Sequence, residues 1–156
     1  MSVTSNTAAA RVGAVRESGI DPRGPRLSAA LTSVVLVGVL VAPSAVAVWL
    51  LAAQAAVFAV GTARGIQHTP YAWLFRTLVR PMLAAPAHFE DPAPPRFAQA
   101  VGLGFALVGL LGFAVGVLPV ALVATGFALA AALLNAVFGF CLGCEIYLLL
   151  HRATAR

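Results

Sequence analysis

There is no lysine in this chain, and it has only five acidic residues among 156; all ten basic residues are arginine. Two stretches, Leu27–Ala63 and Phe97–Cys144, carry no charge at all. Charged residues make up 10% of the sequence, against about a quarter in soluble domains, and 61% of it is hydrophobic, which excludes a water-soluble globular domain. Two cysteines allow at most one internal disulfide and rule out a disulfide-stapled scaffold. A Gly-rich phosphate loop and a Ser-His-Asp set at recognisable spacing are also missing, and with them the common enzyme signatures. Arginine without lysine, beside abundant Ala, Val, Leu and Gly, reads as a GC-rich bacterial coding bias and not as selection at a site.

The net charge of +5 would suit nucleic acid in a soluble protein. Here the arginines flank apolar runs, where they set topology and meet lipid headgroups, so the expected partner is the bilayer and not nucleic acid. Each charge-free run is too long for one span of about 20 residues and holds a proline where a tight turn fits. Pro43-Ser44 divides the first run into helices near 26–42 and 45–63, and Leu118-Pro119 divides the second into helices near 96–117 and 120–150. Ala45-Val46-Ala47 looks cleavable, but the apolar core continues from Trp49 to Val60 and reads as an uncleaved span.

Four spans put both ends of the chain on one side. Arg11, Arg16, Arg23 and Arg26 lie before the first span, Arg64, Arg76, Arg80 and Arg96 between the second and third, and Arg152 and Arg156 after the last. The turns at 43–44 and 118–119 have none. The positive-inside rule then predicts a multi-pass protein of the bacterial plasma (inner) membrane, with a flexible tail over 1–20, the connection 64–90 and the tail 151–156 all cytoplasmic. Within the connection, Pro70-Tyr71-Ala72-Trp73-Leu74-Phe75-Arg76-Thr77-Leu78-Val79-Arg80 predicts an amphipathic interfacial helix over 70–83.

The sequence repeats itself. Asp21-Pro22-Arg23-Gly24-Pro25-Arg26 and Asp91-Pro92-Ala93-Pro94-Pro95-Arg96 share the pattern Asp-Pro-x-x-Pro-Arg at an offset of 70, without a gap. The expected fold is therefore an all-α integral membrane protein, with four transmembrane helices as two parallel helical-hairpin repeats (21–63 and 91–150) and the interfacial helix between them. Asp21, Arg26, Asp91 and Arg96 form the rim motif. Each aspartate caps its own helix start or pairs with an arginine of the other half, capping being the favoured reading. Gly102, Gly109, Gly112, Gly116 and Gly126 offer close-packing faces for a compact bundle; a homo-oligomer stays open.

One place is equipped for chemistry. Cys141-Leu142-Gly143-Cys144-Glu145 holds both cysteines and the only charged residue between Arg96 and Arg152. On a continuous helix the three side chains share a face, directed into the bundle because a carboxylate cannot cheaply face lipid. Asn135 should face protein for the same reason. Residues 120–150 as one helix would run about 46 Å against a hydrocarbon core of about 30 Å, so it tilts, protrudes, or breaks at Gly139 or Gly143. An unbroken helix leaves the thiols near a C-terminal end, beside a carboxylate, where thiolate is disfavoured. A break at Gly139 reverses the dipole argument by starting a helix at Cys141.

Three readings stay open. A dithiol pair with Glu145 as proton carrier could exchange electrons or sulfur with a cytoplasmic partner. Cys141 and Cys144 with His68 and His151 could hold a metal, although one Cys-x-x-Cys is half a zinc site. The chain could also be a non-catalytic scaffold or anchor, its cysteines small buried hydrophobes. No cofactor is identifiable from the residues.

The segments Asp21–Arg26, Pro70–Arg76, Glu90–Gln99 and Gly139–Glu145 resemble a bacterial domain-of-unknown-function family (number forty-three ninety-five) of small four-span membrane proteins, common in actinobacteria. The resemblance covers residues 20–152 and marks Cys141 and Cys144 as the family's shared thiols. Members tend to be associated with thioredoxin-like and sulfurtransferase proteins, which implies thiol or sulfur chemistry with such a partner. The chain is also similar to four-helix membrane oxidoreductases that make disulfides, but it lacks their second cysteine pair, and its own pair is predicted on the cytoplasmic side.

Overall fold

A computed structural model of the chain describes residues 19–154. The expected N-terminal tail before Gly19, with Arg11 and Arg16, and Arg156 lie outside the described residues. Six α-helices follow in order: α1 (Arg23–Val41), α2 (Ser44–Arg64), α3 (Pro70–Leu74), α4 (Ala93–Ala114), α5 (Leu118–Phe138) and α6 (Leu142–Thr154). No strand occurs among the described residues, and α1, α2, α4 and α5 are long and apolar enough to cross a membrane. The chain is all-helical and fits a multi-pass membrane protein.

Much of what lies inside is small or polar, and many of the large apolar side chains lie outside. Ser28, Thr32, Leu36 and Val39 form the buried stripe of α1 at helical spacing, while Val34, Val37 and Val41 point outward. The opposite partition would hold in water; in lipid, helices gain by bringing small residues together and leaving their larger apolar side chains to the acyl chains. Three hydroxyls within the spans bond to the carbonyl one turn back: Ser33 to Ala29, Thr62 to Phe58 and Thr125 to Ala121.

The four long helices form a closed ring, with α1 against α2 and α5, and α4 against α2 and α5. Gly112 shows why the small residues matter. A methyl built there would lie 2.7 Å from the Ala121 backbone nitrogen, so α4 and α5 touch nearly backbone to backbone. Gly102 and Gly109 also sit against neighbours, whereas Gly116 and Gly126 meet nothing within 4 Å, and Gly116 serves the turn after α4 with a positive φ of 75°. Leu36, Ala47, Leu51, Phe58 and Ala106 fill the centre.

The connection is helical from Pro70 to Met82 but changes pitch. α3 is followed by a π-helical turn over Phe75–Val79 and a 3-10 turn over Arg80–Met82. Thr69 starts it, its hydroxyl accepting the Ala72 N–H at 3.2 Å with Pro70 in the first position. Trp73, Leu78 and Met82 are exposed, while Phe75 is buried against Gly24 of α1.

The long C-terminal helix expected over 120–150 is two helices. Gly139 takes a left-handed conformation (φ 68°), closes α5 with N–H bonds from Gly139 to Asn135 and from Phe140 to Leu134, and turns the chain. Gly143 is not the breaking point. It lies inside α6, where a methyl would approach the Ala98 Cβ to 2.6 Å, and so lets α6 dock on the first turns of α4.

Candidate functional site

The turn at Gly139 fixes the character of the cysteines. Cys141 stands immediately before α6, and its carbonyl accepts the Glu145 N–H at 3.0 Å, the first bond of the helix. Its Sγ accepts the backbone N–H of Cys144 at 3.2 Å. Sulfur here does what a serine or threonine oxygen does at a helix start, and what Thr69 does at the start of α3. Cys141 and Cys144 are joined as a disulfide with Cα atoms 5.2 Å apart. Both are half-buried.

Glu145 corrects the expectation of a shared inward face. It is exposed, in the first turn of a helix beyond the end of α5, and its carboxylate has no hydrogen-bonded partner among the described residues. Because the chain turns at Gly139, the carboxylate need not be buried in a span. It favours the helix N-terminus on which it sits. Asn135, half-buried, contributes its carbonyl to the Gly139 turn. On the other side of α6, Tyr147 packs against Phe97 of α4 with ring centroids 5.7 Å apart, and His151 follows Tyr147 at 6.1 Å.

His68 and His151 are both exposed. Among the described residues no three His, Cys, Asp or Glu side chains converge in a way that could hold a metal ion. The four residues weighed as a metal set are thus not brought together.

The rim motif is engaged twice over. Asp21 Oδ1 accepts the Arg23 N–H at 3.0 Å, and Asp91 Oδ1 accepts the Ala93 N–H at 2.8 Å, so each aspartate serves the start of its own helix. The arginines reach across to the other hairpin. Arg96 donates to the Thr62 and Ala63 carbonyls at 2.6 and 2.8 Å, and Arg26 to those of Val137 and Ala136 at 3.0 and 3.4 Å. These are last-turn carbonyls of α2 and α5, without an acceptor role inside their helices and at the negative end of the macrodipole. Arg26 therefore also lies over Gly139, its side chain 3.9 Å from a methyl built there.

A buried polar chain went unread in the sequence. Tyr71 donates its hydroxyl to Gln54 Oε1 at 2.7 Å, and Gln54 Nε2 donates to Thr32 at 3.3 Å, linking α3, α2 and α1. Burial raises the Tyr71 phenol above its ordinary pKa of 10.0.

The family model described as Domain of unknown function (DUF4395) matches residues 20–152, and the chain belongs to that family. No curated protein and no solved structure matches it.

Proposed function

We propose that this member of the DUF4395 family is a membrane-bound thiol–disulfide subunit, exchanging electrons or sulfur through Cys141 and Cys144 with a cytoplasmic thioredoxin-like or sulfurtransferase protein. The observation that carries this reading is the placement of Cys141 at the head of α6, with its sulfur accepting the Cys144 N–H. A helix N-terminus favours a thiolate, the form that attacks disulfides and leaves from them. The pair is half-buried and not sealed in the bundle, so a partner can reach it. The arginine distribution supports a plasma-membrane protein with both termini, and hence this site, on the cytoplasmic side.

The exchange balances with these residues and one partner disulfide. With the pair reduced, the Cys141 thiolate attacks one sulfur of a partner disulfide. A mixed disulfide forms and the partner's other sulfur leaves as a thiolate. Cys144, having lost its proton to water or to Glu145, attacks the Cys141 sulfur and releases the partner's second thiolate. Two electrons pass to the partner, whose two thiolates take their protons from water or from Glu145, and Cys141–Cys144 is left oxidised. The reverse sequence re-reduces the pair.

Acid-trapped alkylation of the two cysteines in membranes tests it, before and after oxidant and a reduced thioredoxin-like protein. Two labels that disappear with oxidant and return with the reductant support a redox centre. Two thiols that stay labelled throughout leave the chain a scaffold or anchor.

A further inference from the structure

On the arginine side of the bundle a half-open cavity of about 290 Å³ lies between the first turns of α1, the residues after α2, and the π-helical turn. Its volume is at the small end of ligand pockets, enough for a headgroup-sized molecule. Phe75 and Phe89 supply apolar wall, and the chain over the cavity is tied down by the Arg23 guanidinium, which donates to the Ala84 carbonyl, and by the Ile20–Glu90 backbone pair.

Two features make it more than a gap. Ser28 lines the cavity, is 4% exposed, and its hydroxyl has no partner among the described residues, unlike Ser33, Thr62 and Thr125, which all bond back to their own helices. Gln67 Oε1, also on the wall, is buried and likewise without a partner among the described residues. An unmet polar group in such a site costs on the order of 1–3 kcal/mol and calls for a ligand or water. At the mouth stand Arg76 and Arg80, both exposed and, among the described residues, without a carboxylate partner. Asp21, the one acidic lining residue among those described, has its Oδ1 occupied by the Arg23 N–H.

The other half of the chain handles the same place differently. Seventy residues after Ser28 stands Ala98, and there the Gly143 face of α6 closes directly onto the helix. Where α4 is covered by a helix, α1 is left with a lined and polar cavity.

We propose that this cavity binds a phosphate ester, its anionic oxygens held by Arg76 and Arg80 and its hydroxyl-bearing part reaching Ser28 and Gln67. Guanidinium groups match phosphate oxygens with charge-assisted bonds, and the hydroxyl and amide oxygen inside suit a glycerol-like neighbour. A phospholipid headgroup and a soluble phosphate ester share this chemistry.

Full-length protein stripped of lipid in detergent is titrated with phosphatidylglycerol, phosphatidylcholine and glycerol 3-phosphate, and adducts are counted by native mass spectrometry. One saturable adduct is expected. Arg76→Gln with Arg80→Gln should weaken it by about tenfold or more, whereas the same loss of charge at Arg64 and Arg152 leaves it unchanged. Ser28→Leu, which fills the cavity and keeps both arginines, should also remove it; the exposed arginine variants report even where that variant folds poorly. Binding of glycerol 3-phosphate by itself identifies a soluble ester, and binding of phosphatidylglycerol alone identifies a headgroup. Equal retention of phosphatidylcholine, no saturable adduct, or an equal loss in the Arg64 and Arg152 control overturns the proposal.

Discussion

Ile20 and Glu90 are joined by a reciprocal pair of backbone hydrogen bonds, Ile20 N–H to Glu90 O at 2.9 Å and Glu90 N–H to Ile20 O at 3.0 Å. They stand one before Asp21 and one before Asp91, at the same offset of 70 that relates the two Asp-Pro motifs. Equivalent residues meet each other in this way only at a twofold axis. We read the contact as the pseudo-twofold centre of two hairpins, with Arg26 and Arg96 as its paired outer contacts.

On that reading the two arginines are interchangeable in kind. Arg26→Gln and Arg96→Gln should each lower stability by about 1–2 kcal/mol, since each leaves last-turn carbonyls without a charged donor. Lysine at either position should recover part of the loss, because a point charge cannot fork between two carbonyls. Thermal unfolding in detergent measures both. A large effect at one arginine and none at the other would contradict the paired role.

Gly143→Ala tests the docking of α6. The added methyl meets Ala98 Cβ at 2.6 Å and Cα at 2.7 Å, with backbone on one side and no flexible side chain to yield. A loss of about 1–3 kcal/mol is expected. Since α6 carries Cys144 and begins at Cys141, the disulfide should also become easier to reduce, read as a faster reaction with a small dithiol. An unchanged rate and unchanged stability would place α6 farther from α4 than the contact implies.

Spans and rim arginines were legible because the bilayer imposes a length and a charge rule that show up as runs and gaps in the sequence. The acceptors of Arg26 and Arg96 were not, since a backbone carbonyl carries no residue-type signal. Gly139 stood among the alternatives for the C-terminal segment, and helix length against bilayer thickness was the correct ground for suspecting a break. Glu145 was misjudged because its exposure depends on that break; within an unbroken span the inward assignment would have followed. Tyr71 and Gln54 lie across an irregular connection where no periodicity links them, so their hydrogen bond left no pattern to read.

Tyr71→Phe removes the phenol that donates to Gln54 and should cost about 1–3 kcal/mol, because Gln54 is 1% exposed and its carbonyl oxygen is left unmet. The pH dependence has a definite sign. The folded-state pKa of Tyr71 is raised above 10.0, so above about pH 10 the unfolded chain gives up a proton that the folded one retains. Stability attributable to Tyr71 is therefore constant below pH 10 and falls as pH rises beyond it. Unfolding of wild type and Tyr71→Phe followed between pH 7 and 11 should show that alkaline slope in the wild type and its reduction in the variant.

Cys141 has two jobs that substitution can separate. As the residue before α6 it accepts the Cys144 N–H, and as half of the disulfide it is proposed to carry electrons. Serine can do the first and not the second, and alanine can do neither. With Cys144 also replaced by serine so that no disulfide contributes, Cys141→Ser should hold α6 in place, whereas Cys141→Ala should lose about 1 kcal/mol or more. Hydrogen exchange over Leu142–Thr154 reports the difference as faster exchange in the alanine variant. Both variants should lose any exchange with a thioredoxin-like protein completely. Equal protection of α6 in serine and alanine forms would mean that the sulfur-to-N–H contact contributes nothing to the helix, and the argument for a thiolate stabilised at this helix start would lose its structural support.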